Sequence, residues 1–153
     1  MHIAIDADAN GLDLKKKICD HLAAEGIPFQ DLAYLDHHQV DYPDIAFNLA
    51  NRVRAGEFDR GILICGTGQG MAMCANKVKG IYAGACSDTY SAERLRKSNN
   101  AQILCLGALV IGEQTAISLV EAWLKSDFQG GRSAPKVERM HALEEMGSAA
   151  AAD

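Results

Sequence analysis

The sequence predicts an α/β fold: a three-layer, Rossmann-like (flavodoxin-like) sheet of five parallel strands with helices on both faces. Short apolar runs rich in β-branched residues alternate with longer segments whose apolar residues recur every three or four positions. Such alternation builds a parallel sheet closed by right-handed crossovers. One run, Gly61-Ile62-Leu63-Ile64-Cys65, is apolar throughout and opens directly into Gly66-Thr67-Gly68-Gln69-Gly70. That is the composition of a buried strand meeting a helix through a tight turn.

In chain order, residues 2–7 form the first strand. Leu14, Ile18 and Leu22 then place an apolar stripe on a helix, with Lys15, Lys16 and Asp20 on its other face and Gly26 as its stop. Residues 29–33 read as the second strand. A turn-rich stretch with His37, His38 and Asp41 follows, and both histidines read as solvated turn residues. Ile45, Leu49 and Val53 mark the second helix, ending near Gly56. The strand over 61–65 and its glycine turn lead into a small-residue helix through Ala75, in which Met71 and Met73 read as core filling. Residues 82–87 and 103–108 are strands four and five, separated by a polar helix over 90–97. Ala116, Val120 and Trp123 stripe the next helix, and Val137, Met140 and Leu143 the last. One domain over residues 1–146 is expected, with a frayed Ala-rich tail over 147–153.

The composition narrows the function. At 153 residues, 48% hydrophobic and 23% charged, the chain has the make-up of a globular domain with a real core. A net charge of −5, with no basic run longer than Lys15-Lys16-Lys17, excludes the concentrated positive face that nucleic-acid binding needs. No apolar stretch approaches the roughly 20 residues that span a bilayer. The N-terminus enters a strand directly, so a cytoplasmic protein without membrane partners is expected. The five cysteines, Cys19, Cys65, Cys74, Cys86 and Cys105, include no Cys-x-x-Cys pair. Reduced thiols are therefore expected, with neither metal nor cofactor.

In a parallel sheet, ligands bind beyond the carboxyl ends of the strands. That rim would collect Asp6 and Asp8, the turn from Cys65 to Gly70, and Asp88. Gly66, Gly68 and Gly70 let the backbone turn tightly and point successive amides outward, forming a concavity for negative charge. A thiolate in such a place is a competent base or nucleophile, although a cysteine at a strand end also serves simply as packing. The loop lacks the Gly-Lys-Ser/Thr of a P-loop and the spacing of a dinucleotide fingerprint. Asp88 stands where a ribose-binding acid could. Tyr42, before Pro43, fits equally a hydrophobic staple at a helix start and a substrate contact.

The chain resembles the type B ribose-5-phosphate isomerases and their relatives, the galactose-6-phosphate isomerase subunits, from about Ile3 to Val137. The most specific segment is the run from Gly61 to Gly70, followed by Ala75-Asn76-Lys77-Val78-Lys79-Gly80-Ile81. Asp41-Tyr42-Pro43, Tyr90-Ser91-Ala92 and Gly130-Gly131-Arg132 also look like the family. The resemblance implies proton transfer between C1 and C2 of a sugar phosphate through a cis-enediolate. Cys65 would be the base, Thr67 its polar neighbour, and the amides around Gly66, Gly68 and Gly70 the anion hole. Asp8, Ala9, Tyr42 and Asn99 match sugar-contacting positions, and Arg132 and Lys136 a phosphate clamp. In the absence of that clamp, the two cations would be a solvated pair at the start of the last helix. The resemblance also implies a homodimer or dimer of dimers whose sites are shared between subunits.

Four positions depart from the family. Ala9 replaces a histidine, Ser98 stands where the ring-opening histidine does, Leu109 replaces an arginine, and Lys136 replaces the second clamp arginine. Ser98 is thus the third candidate catalytic position beside Cys65 and Thr67. The segments Ser98-Asn99-Asn100-Ala101-Gln102 and Gly131-Arg132-Ser133-Ala134 look closest to the tetrulose-4-phosphate isomerase branch. A tetrose esterified at O4 has no free hydroxyl with which to close a five-membered ring, so its isomerase needs no ring-opening histidine. The expected reaction is therefore interconversion of D-erythrulose 4-phosphate and D-erythrose 4-phosphate. The alternatives are ribose 5-phosphate isomerisation, a subunit of a heteromeric hexose-6-phosphate isomerase, and a non-catalytic sugar-phosphate sensor.

Overall fold

Five short apolar segments pair edge to edge in the computed structural model, which describes residues 1–33 and 40–150. They are β1 (Ile3–Ala7), β2 (Phe29–Asp31), β3 (Arg60–Cys65), β4 (Ala83–Ala85) and β5 (Ile103–Gly107). Every pairing is parallel, in the order β2-β1-β3-β5-β4. The helices are α1 (Leu12–Ala24), α2 (Tyr42–Arg54), α3 (Gln69–Ala75), α4 (Thr89–Lys97), α5 (Glu113–Leu124) and α6 (Ala134–Ala150), with a 3-10 turn over Gly131–Ser133.

The layered Rossmann-like architecture is the one expected, with its last two strands exchanged relative to the flavodoxin order 2-1-3-4-5. Composition explains the exchange. An interior strand is covered on both faces, and β5, Ile-Leu-Cys-Leu-Gly, is buried at every position. β4 is only Ala-Gly-Ala and stays half-buried, so it takes the edge. Two strands are also shorter than their apolar runs. β2 stops at Asp31, and Ala33 adopts φ 42°, a left-handed backbone that no strand tolerates.

Side-chain alternation along the strands sorts the helices to two faces. Ile3, Ile5, Ile62, Ile64, Leu104 and Leu106 pack with Leu14, Ile18 and Leu22 of α1, Ala92 of α4, and Leu119 and Trp123 of α5. Ala4, Leu63, Cys65, Ile103 and Cys105 pack with Ile45, Leu49 and Val53 of α2 and Met71 and Ala75 of α3. Met71 is core as expected, whereas Met73 is exposed. Lys15 is not on a solvated face: it is buried, and its ammonium binds Asp31 at 2.7 Å and lies 3.7 Å from Asp6. Among the described residues no helix is long and apolar enough to cross a membrane. His37 and His38 lie outside the described residues.

The last helix belongs to neither face. Of its expected stripe only Val137 is buried, and Leu143 is 49% exposed. The Ala-rich stretch from Gly147 continues the helix to Ala150 instead of ending it. Polar contacts hold α6 in place. The Tyr82 hydroxyl lies 2.9 Å from His141 Nδ1, Lys79 pairs with Glu145 at 2.7 Å, and the Gly80 N–H donates to the Glu144 carboxylate at 3.0 Å. Residues 79–82 directly precede β4, so α6 lies across the end of the sheet where the strands begin.

Candidate active site

At the other end, where the strands finish, β3 delivers Cys65 into the glycine turn. Burial of every β3 side chain fixes the strand, and Cys65, 5% exposed, faces the α2–α3 side. The Gly68 N–H donates to Cys65 Sγ at 3.1 Å, so the amide expected in the anion hole addresses the sulfur itself. Gly68 has φ 78°, and a Cβ there would stand 3.0 Å from the Leu106 backbone. Both facts require glycine. The turn is seated from the far side by Gly107, where a Cβ would meet the Thr67 backbone at 2.8 Å. Thr67 is exposed beside the thiol and spends its hydroxyl weakly, on the Gln69 N–H at 3.4 Å.

Neighbouring segments close around the turn. Asp8, following β1, is nearly buried, and its Oδ1 accepts the Asn10 and Gly11 N–H groups at 2.9 and 3.2 Å. Its own N–H bonds to the Ile64 carbonyl at 3.1 Å, tying β1's loop to β3's end. Ala9 is exposed next to it. Tyr42 opens α2, and its ring lies where a Cβ on Gly70 would come within 2.5 Å. Asp8, Ala9, Tyr42, Cys65 and Thr67 thus share one rim with Gly66, Gly68 and Gly70. Burial pushes Cys19 and Cys86 up to about 11, and raises Cys74 and Cys105 as well.

The remaining expected residues lie at the opposite edge. Ser98 is the C-cap of α4 and donates its N–H to the Arg94 carbonyl at 2.8 Å. Asn99 follows it, before β5 begins at Ile103. The Gln129 N–H donates to the Lys97 carbonyl at 3.1 Å, bringing the Gly130-Gly131-Arg132 turn to the same end. Arg132 and, one helical turn later, Lys136 are exposed there. The six residues of β3 separate the two edges by roughly 17 Å. The chain therefore places the expected residues in two groups: a thiol with its amides at the carboxyl edge, and cations with an amide side chain at the amino edge.

A family model described as Ribose/Galactose Isomerase matches residues 3–140. The chain belongs to the ribose/galactose isomerase family. It is an aldose–ketose isomerase of sugar phosphates. It is 50% identical over 141 residues to a D-erythrulose-4-phosphate isomerase of Pectobacterium atrosepticum, covering 92% of this chain and 93% of that one. Identity to a ribose-5-P isomerase B of Listeria innocua is 49% over 145 residues, covering 95% and 98%. Among solved structures, ribose-5-phosphate isomerase B of Clostridium thermocellum superposes with a TM-score of 0.91 at 43% identity, covering 95% of this chain and 99% of that chain.

Within this isomerase, Asp88 is not a free rim acid. It caps α4, accepting the Ser91 N–H and hydroxyl at 2.7 Å each, and these bonds hold its pKa below the ordinary aspartate value. Asn10 went unnoticed in the sequence, because asparagine in a turn reads as a cap. Its amide nitrogen lies 3.8 Å from where a Gly66 Cβ would stand, facing the glycine turn. Leu109 does likewise: its N–H donates to the Gly66 carbonyl at 3.0 Å and its side chain is 77% exposed. The isomerase thus presents an apolar side chain beside the turn, at the position already read as a departure from the family.

Proposed function

We propose that this isomerase interconverts D-erythrulose 4-phosphate and D-erythrose 4-phosphate, with Cys65 as the base and with sites shared between two copies of the chain. The single observation behind the substrate is Ser98, a hydroxyl at the position where the family's ring-opening histidine stands. A four-carbon phosphate is open-chain and requires no such group. The thiolate of Cys65 would take the proton from C1 of the ketose, giving a cis-enediolate. The Cys65 thiol would then return that proton to C2 while a proton passes between the two oxygens, so that no net oxidation occurs. Removing a proton beside a carbonyl needs a positioned base and stabilised negative charge on oxygen. The amides of the Gly66–Gly70 turn and the Thr67 hydroxyl stand ready to supply the second.

The distance between the two groups supports sharing. No side chain bridges roughly 17 Å, so Arg132 and Lys136 of one protomer cannot hold the phosphate of a sugar at its own Cys65. A two-fold dimer would place the amino edge of one copy against the carboxyl edge of the other. Asn99, Arg132 and Lys136 of the partner would then complete each site.

The deciding experiment assays the purified chain against four-, five- and six-carbon aldose and ketose phosphates. We expect kcat/KM for erythrulose 4-phosphate to exceed that for ribulose 5-phosphate by at least about tenfold, or about 1.4 kcal/mol of transition-state preference. The near-equal identity to the Listeria ribose-5-P isomerase B makes ribose 5-phosphate the second reading. A preference for the pentose would establish it, and would assign ring opening to Ser98 with water. Activity of the chain alone would dispose of the heteromeric-subunit reading, and tight binding without turnover would favour the sensor.

A further inference from the structure

The same strand that ends in Cys65 begins with Arg60, an arginine that is 3% exposed. A buried guanidinium is costly unless its donors are satisfied. Its Nη1 donates to the Trp123 and Leu124 carbonyls at 2.9 and 3.1 Å, and its Nη2 to the Ser126 carbonyl at 2.7 Å and the Asp127 carboxylate at 2.8 Å. Three of these acceptors are carbonyls of α5's last turn and exit, where a cation is favoured. Arg60 therefore fixes the direction in which the chain leaves α5 toward Gly130 and Arg132.

A second arginine does the same for the other loop of the amino edge. Arg96 Nη1 donates to the Asn100 and Ala101 carbonyls at 3.2 and 3.3 Å. Asn100 adopts φ 55°, a left-handed conformation that costs energy in a residue with a Cβ. Arg96 holds that turn closed, immediately after Ser98 and Asn99. The two guanidiniums are near neighbours. Burial and the charge of Arg96 together lower the pKa of Arg60, while Asp127 opposes the shift in both arginines. The Gln129 to Lys97 bond then stitches the two loops together.

We propose that Arg60 and Arg96 are positioning residues: a paired bracket on backbone carbonyls that sets Asn99 and Arg132 at one spacing, and so fixes phosphate affinity without touching substrate. The proposal rests on the reading of Arg132 as part of a phosphate site. Arg60 spends both Nη groups on carbonyls of the chain and on Asp127, and Arg96 turns its Nη1 to the Asn100 and Ala101 carbonyls, so both guanidiniums address the backbone of the loops. Their effect therefore falls on binding of the dianion and not on proton transfer at Cys65, at the far edge of the sheet.

The test compares wild type with Arg96→Met and Arg60→Lys. Steady-state kinetics with the preferred sugar phosphate, competitive inhibition by inorganic phosphate, and alkylation of the thiols by iodoacetamide are each measured. Both variants are expected to raise KM and the phosphate inhibition constant in parallel, by about tenfold or more, with kcat within about threefold. Cys65 should alkylate at the wild-type rate. An unchanged KM and inhibition constant in a folded variant would overturn the proposal. So would an equal fall in kcat with faster alkylation of all five thiols, the mark of a merely structural loss. Should Arg60→Lys fail to fold, Arg96→Met decides alone. If wild type turns over no sugar phosphate, the isomerase reading fails separately, and calorimetric titration of wild type and Arg96→Met with inorganic phosphate still decides the bracket. Equal dissociation constants would sink it.

Discussion

Cys65 differs from its four fellow cysteines by its surroundings. Its sulfur accepts the Gly68 backbone N–H at 3.1 Å and lies at the rim, at the end of β3 beside three glycines. Replacing Cys65 with alanine is expected to lower kcat by two to three orders of magnitude, roughly the loss of a general base. Alanine at Cys19 or Cys74 should alter stability alone, read from thermal unfolding beside turnover. Arg132 acts at the other edge, as an exposed cation among the loops of residues 98–101 and 129–133. Arg132→Ala should raise KM for the phosphorylated substrate by about tenfold or more with a smaller effect on kcat, the loss of a charge-assisted grip on a dianion. An unchanged KM would place the phosphate elsewhere. Of these residues, Cys65 could be picked out from sequence by its glycine-rich neighbours, and Arg132 by the resemblance to the family. Asn10 could not, because an asparagine two residues after a capping aspartate has a sufficient structural explanation already.

Elements set what those residues can reach. The glycine turn between β3 and α3 works because Gly68 takes a left-handed backbone, and because Gly68 and Gly107 let the turn settle onto β5 without a Cβ between them. Gly68→Ala combines a strained φ with a Cβ at 3.0 Å from Leu106 backbone. It should cost about 1–3 kcal/mol of stability and carry the 3.1 Å Gly68 donor away from Sγ. The expected outcome is a lower denaturation midpoint with turnover falling further than stability explains, measured by urea unfolding and by kinetics below the transition. Strand order is also an element-level outcome. The weak run Ala83-Gly84-Ala85 settles at the edge and the fully apolar β5 takes the interior. Hydrophobicity along the sequence agrees with that order, but only the packed sheet selects it.

For the whole molecule, the decisive property is the roughly 17 Å between the Cys65 turn and the loops that carry Asn99 and Arg132. If each active site draws its thiol from one copy and its cations from another, Cys65→Ala and Arg132→Ala should damage different halves of the same site, the first through kcat and the second through KM, so activity is compared at substrate well below KM. Refolding the two variants together in equal amounts gives half mixed dimers under random pairing. Each mixed dimer then has one intact site of two, so about a quarter of wild-type activity should return. Mixing that restores nothing would mean the site is built within one chain. The exposed apolar residues Phe47, Met73, Leu143 and Met146 leave surface for such an association.

Local sequence determined the layers, the buried strand, the glycine turn and the thiol it carries. Each follows from periodicity, or from backbone needs that act within a few residues. The reversal of β4 and β5, the burial of Lys15 against Asp31 and Asp6, and the bracket made by Arg60 and Arg96 required the tertiary structure. So did the division of the expected site between opposite edges. Strands in this fold run one way and helices return the other, so residues at strand ends and residues at helix ends reach opposite edges of the sheet. Spacing along the chain cannot express that distance; only the direction of each element through the sheet does.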